Sequence, residues 1–131
     1  MRYMMLIYTT ETDRHSTEET AATAGAHIAL MNETKRRGIF VAADPLEPVS
    51  TAATIRVKDG KVMVTDGPFA ETKEQLAGYY ILDCKDLDEA IEWASKIPTT
   101  CGGALGCVEV RAIREMPEAV KMLLEAEYAK S

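Results

Sequence analysis

The chain has 131 residues, 47% of them hydrophobic and 27% charged, a balance that suits one globular domain and excludes a disordered or fibrous chain. Acidic residues outnumber basic ones 21 to 15, for a formal net charge of −6. Such a chain has no overall attraction to phosphate backbones or anionic lipid, so neither nucleic acid nor a membrane is an expected partner.

In chain order, the first expected element is a strand over residues 2–9, short and rich in strand-forming residues. Its apolar run falls far short of the roughly 20 residues of a membrane span. It also ends at Thr9-Thr10-Glu11, without the longer apolar region and cleavage site of a signal peptide. A cytoplasmic location is the expectation. Cys84, Cys101 and Cys107 form no C-x-x-C pair, and His15 and His27 are the only histidines. The cysteines are therefore read as small apolar side chains in a reducing compartment; Cys101 lies in a glycine-rich loop, where the alternative is an exposed reactive thiol, with no activating base beside it. Neither a metal nor a cofactor is expected.

After a polar loop over residues 10–15, Ser16 reads as an N-cap with Glu19 completing a capping box. The helix extends to about Arg37, with Ala24, His27, Ile28, Met31 and Thr34 spaced by threes and fours and Gly38 as its left-handed stop. A short strand over residues 39–43 is ended by Asp44-Pro45 and Glu47-Pro48. Residues 53–58 and 61–65 flank Asp59-Gly60, which suits a two-residue type I′ hairpin. That turn sets Val57 opposite Val62, Ile55 opposite Val64 and Arg56 opposite Met63.

A loop over residues 66–75 leads to an apolar strand over 76–84. Asp86, with Glu89, opens a second helix whose stripe is Leu87, Ala90, Ile91, Ala94 and Ile97, stopped by Pro98. The loop over 99–104 holds Gly102 and Gly103, residues 105–113 form the last strand, and Pro117 opens a C-terminal helix to about Lys130. The order β, α, several β, α, β predicts a single-domain ferredoxin-like α+β plait with a mainly antiparallel sheet.

Two strands break the apolar/polar alternation of a sheet with one wet face. Residues 3–8 are apolar throughout, and residues 79–82 nearly so. With both helices expected on one face, the other is read as covered by a second copy of the chain, giving a homodimeric α+β barrel. The alternative is a lid formed by the C-terminal helix.

The segment Val64-Thr65-Asp66-Gly67-Pro68-Phe69-Ala70-Glu71-Thr72-Lys73-Glu74-Gln75-Leu76 resembles the signature of DGPF-domain proteins, a branch of the YciI-related (YCII) family. The likeness continues in the opening Arg2-Tyr3-Met4-Met5-Leu6-Ile7-Tyr8, the hairpin, Asp86-Leu87-Asp88-Glu89-Ala90 and the closing Val108-Glu109-Val110-Arg111, covering about residues 1–113. The resemblance implies a ferredoxin-like protomer that dimerises into an α+β barrel with a cleft at its edge. Some DGPF proteins are encoded beside extracytoplasmic-function sigma factors, which implies a regulatory association. In the YciI branch a first-helix histidine and an aspartate have been proposed as a catalytic pair. The histidine that matches is His27, and this chain has Asp44 where that branch tends to carry glycine before the proline.

Read as residues, His27 is either a core histidine with satisfied nitrogens or a general acid/base, its pKa near ~6.5 tunable by a carboxylate. Asp66 and Asp44, each at a strand end, are the candidate partners. Asp66 can equally close an Asx turn, and Phe69 reads as a hydrophobic plug. Glu71, Lys73 and Glu74 read as a solvated loop or rim network. Tyr8, Tyr79 and Tyr80 are core or interface rings, or place a hydroxyl in a cleft. The stripe Val120, Leu123, Leu124 and Glu127 suits packing on the dimer or on another protein.

Two functions follow. In the first, a small dimeric enzyme or binder holds a small molecule between the first helix, the sheet and the DGPF loop. His27 acts there as base and Asp66 or Asp44 orients it. No phosphate-binding glycine loop, nucleophile elbow or metal set is present in the sequence. In the second, the protein is a non-catalytic regulatory module for a partner such as a sigma factor.

Overall fold

The computed structural model describes residues 1–10, 17–99 and 106–130. Ser16 of the expected capping box, residues 11–15 with His15, and residues 100–104 of the glycine loop with Cys101 lie outside that range.

β1 (Arg2–Thr9) buries Tyr3, Met5 and Ile7 and leaves Met4, Leu6 and Tyr8 partly exposed, so its uniformly apolar sequence divides by pleat between two faces. It lies at the centre of a four-stranded antiparallel sheet with β2 (Phe40–Pro45), β5 (Gln75–Asp83) and β6 (Gly106–Ala112), in the order β2-β5-β1-β6. Together with α1 (Thr17–Arg36) and α2 (Leu87–Ala94), this is the α+β arrangement of a ferredoxin-like plait. The register sets Tyr3 against Leu82, Met5 against Tyr80 and Ile7 against Gly78, all on the face that the helices cover.

α1 buries Leu30 and Thr34. The expected stripe holds at Thr34 and Met31, but Ile28 is exposed and Leu30 faces the core in its place. Thr34 is wholly buried because its hydroxyl donates to the Leu30 and Met31 carbonyls, which removes the cost of an unpaired polar group. Gly38, at φ +73°, closes the helix, with Ile39 N–H bonded to the Thr34 carbonyl and Gly38 N–H to that of Lys35.

Asp86 caps α2 by accepting from the Glu89 N–H at 2.9 Å. Ala90, Trp93, Ala94 and Ile97 turn into the core, while Leu87 and Ile91 are half-exposed. Trp93 therefore replaces two residues of the expected stripe. Lys96 and Arg37 lie over its ring at 4.5 and 5.9 Å from the centroid, so cations stand against the π-face of the indole.

β2 does not stop before Asp44-Pro45 but continues through both. It is an edge strand, and there a proline's missing N–H costs the ladder little. β3 (Ala53–Lys58) and β4 (Lys61–Asp66) pair in the expected register, through a turn with positive φ at Asp59 and Gly60. The hairpin forms its own two-stranded sheet, and its Ile55, Val57, Val62 and Val64 face is exposed.

The sheet face opposite the helices carries Met4, Leu6, Tyr8, Tyr79 and Ile81, all partly exposed. α3 (Glu118–Ala129) buries none of its residues, so it does not act as the core-sealing lid considered from the sequence. Cys84 is buried as expected, whereas Cys107 is exposed. The Cys107 thiol donates to Glu74 at 3.4 Å, and this carboxylate pushes its pKa up, which disfavours the reactive thiolate.

Candidate functional site

A cavity of about 530 Å³ lies between the first half of α1 and the sheet. Side-chain size creates it. Where the second half of α1 sends Leu30 and Met31 to the core, the first half presents Thr20, Thr23 and Ala24. These short side chains do not fill the space above β5. Below them, Gly78 has no side chain at all. A Cβ there would stand 2.9 Å from the Asp44 carbonyl oxygen and 3.2 Å from Pro45 Cα, so glycine permits the close approach of β2 and keeps the cavity floor open.

His27 lines this cavity, one helical turn below Thr23 and Ala24. Its partner is Tyr80: Nδ1 and the phenol oxygen are 2.6 Å apart, and the rings stack with centroids at 5.8 Å. His27 is half-buried, and the lost hydration holds its pKa below the usual histidine value. Burial pushes the Tyr80 phenol up to about 12. Both groups are thus neutral around pH 7. A phenol that keeps its proton can donate to an unprotonated Nδ1 or accept from a protonated one, so the pair accommodates either ring tautomer. Nε2 has no hydrogen-bond partner among the described residues.

Neither expected carboxylate meets the imidazole. Asp44 is a cavity-lining residue, but it pairs across the ladder with Tyr79, on the face opposite that of Tyr80 and Ala43. Its carboxylate accepts from the Tyr79 hydroxyl at 2.7 Å, and this bond raises the Tyr79 pKa. One step of β-pleat separates the Asp44–Tyr79 pair from the His27–Tyr80 pair.

Asp66 ends β4 on the separate hairpin and is exposed. The turn after it is tied to β3: Gly67, at φ +96°, donates its N–H to the Ala52 carbonyl at 2.7 Å, and Thr54 donates its hydroxyl to the Gly67 carbonyl at 2.9 Å. Phe69 is 80% exposed, so the expected hydrophobic plug does not form among the described residues. The expected third wall, the DGPF loop, is absent from the described lining, which includes Pro98 and Thr99. The sequence allowed Tyr80 a hydroxyl in a cleft but did not pair it with His27. The usable signal was parity: Tyr80 falls on the helix-facing side, two residues from Gly78 and two from Leu82.

No helix among the described residues is long and apolar enough to cross a membrane. No group of three His, Cys, Asp or Glu side chains among them could hold a metal ion. The family description that matches this chain is that of the YCII-related domain, over residues 1–117. Uncharacterized protein R00369 of Rhizobium meliloti (strain 1021) is 37% identical over 115 residues, which covers 86% of this chain and 92% of that protein. With the match spanning the sheet, both core helices and the His27 cavity, the chain belongs to the YCII-related family.

Proposed function

We propose that the protein is a homodimeric small-molecule-binding protein in which His27 serves as a general acid/base within the cavity under α1. The observation that carries this reading is the His27–Tyr80 pair at the wall of that cavity. A neutral imidazole can accept a proton at Nε2, and the resulting imidazolium would donate from Nδ1 to the Tyr80 oxygen. Tyr80 is a positioning residue in this scheme, holding the ring by its other nitrogen. Asp44 and Asp66 are kept as secondary candidates, Asp44 only if a ligand reaches past the sheet edge to its pair with Tyr79 and Asp66 only if a second chain brings its hairpin near.

NMR titration of the His27 ring tests the central claim. Its half-protonation should fall below pH ~6.5, and its signals should shift when 2-acetylnaphthalene, a neutral aromatic ketone, is added. A ring that titrates like a free histidine and ignores the ketone would remove the proposed role. Linkage gives a second readout. The depressed folded-state pKa means the unfolded chain binds more protons below about pH 6.5. Stability should therefore fall as pH drops from there through the folded value, and His27→Gln should flatten that slope.

The dimer draws on the partly exposed Met4, Leu6, Tyr8, Tyr79 and Ile81, contributed by two adjacent central strands. A second copy laid on this face would close an α+β barrel. Sedimentation at micromolar concentration should give about twice the 14.4 kDa chain mass, and a single well-folded chain would count against it.

The second reading is a non-catalytic regulatory module for a partner such as an extracytoplasmic-function sigma factor. It draws on α3, where Met122, Leu123 and Tyr128 are each more than 60% exposed. Removing residues 117–131 should then abolish co-purification with that sigma factor, and His27→Gln should not.

A further inference from the structure

We infer that the cavity under α1 selects uncharged, predominantly apolar small molecules that carry one hydrogen-bonding group for His27, and that it rejects anions of the same shape. This rests on the reading of that cavity as a ligand site and adds the ligand's chemical class. Three observations carry it.

The first is the wall. Ile7, Ala24, Ile28, Met31, Ala43 and Ala77 give the cavity a hydrocarbon surface, and its volume lies within the roughly 300–1,000 Å³ of small-molecule sites. A ligand body that fills it must be apolar to gain from leaving water.

The second is charge. The described residues that line the cavity include no lysine and no arginine, and the one formally charged residue among them, Asp44, is negative. An anion entering would lose its hydration and meet no counter-charge among the described lining residues. The net charge of −6 adds an opposing field. A cation fares no better inside, because the Asp44 carboxylate is engaged by Tyr79 on the other face of the sheet.

The third is the placement of hydrogen-bonding groups. Tyr80 takes Nδ1 of His27, which leaves the ring one nitrogen for a ligand. When the Tyr80 hydroxyl donates to Nδ1, the ring proton sits on Nε2 and can be given to a carbonyl or hydroxyl oxygen. The combination of an apolar wall, neutral polar groups and one available ring nitrogen describes a site for a ketone, alcohol or similar neutral molecule. It does not describe a phosphate or carboxylate site, for which a cationic fork would be needed.

The test uses the intact protein and three probes of one shape: 2-acetylnaphthalene, 2-naphthoate and 2-naphthylmethylammonium, titrated calorimetrically at pH 7.5. The ketone should bind at least tenfold tighter than either ion. Ala24→Trp, which places an indole at the cavity wall from an exposed helix position, should abolish ketone binding while the circular dichroism spectrum is kept. Equal or tighter binding of the carboxylate or the ammonium would overturn the inference while leaving the cavity as a ligand site. Ketone binding unaffected by Ala24→Trp would place the ligand elsewhere and overturn it too. If none of the three binds at millimolar concentration, the ligand class and the cavity's role as a site both fall.

Discussion

His27→Gln should slow deuterium exchange at the methyl group of bound 2-acetylnaphthalene by roughly 10²–10⁴-fold, the usual contribution of a positioned general base. In this exchange the ring tautomer with its proton on Nδ1, toward Tyr80, takes a methyl proton at Nε2, and the electron pair moves to the carbonyl oxygen as an enolate. Nε2 then trades that proton for a solvent deuteron, and the deuteron passes to carbon. The neutral ring needed for the first step is the form favoured by partial burial. Glutamine keeps a hydrogen-bonding group at the position but cannot hold the proton. Binding of the ketone should change far less than the exchange rate, because the apolar wall is unaltered. Tyr80→Phe should give an intermediate loss, since it removes the Nδ1 partner and not the base. Proton NMR in heavy water reads both. An exchange rate unchanged by His27→Gln would end the acid/base role and leave a binding protein.

Met5→Ala should destabilise the fold by about 2–5 kcal/mol, the range for truncating a long buried side chain. Met5 has no exposed surface. It lies on the central strand, between Tyr80 of β5 and Val110 of β6, where rigid neighbours on both sides leave little room for collapse into the cavity created. The adjacent Met4→Ala makes the informative contrast. Met4 points to the open face and is partly exposed, so its truncation should cost the single chain far less. If that face pairs with a second copy, Met4→Ala should instead weaken self-association. Urea unfolding monitored alongside sedimentation separates the two effects. A Met5→Ala loss below about 1 kcal/mol would mean that the core repacks more freely than its close packing allows.

Much of the fold was legible because local rules and tertiary packing agree. Asp59-Gly60 required positive φ at both positions and set the hairpin register, which the structure has residue for residue. Asp86 and Gly38 marked helix ends because a cap oxygen and a left-handed backbone are local needs. Helix faces were read less well. Ile28, Leu87 and Ile91 fit a 3.6-residue stripe, yet each is half-exposed, while Leu30 and Trp93 carry the packing. Periodicity gives the direction of an apolar face only to within one residue, and the sheet surface below decides which side chain is covered.

For the candidate site, the sequence by itself marked His27 as a titratable group on an apolar helix face, and it marked Asp44 and Asp66 as carboxylates at strand ends. It also determined the order of elements and the hairpin, since these follow from spacing and turn chemistry along a few residues. Only the tertiary structure decided the partners. Pleat parity sends Tyr80 toward α1 and sends Asp44 with Tyr79 to the opposite face. The separation of β3 and β4 from the main sheet keeps Asp66 out of the described cavity lining. The physical reason is that these pairings join residues 35 and 53 positions apart. Strand register and sheet order fix such contacts, and no local pattern records them.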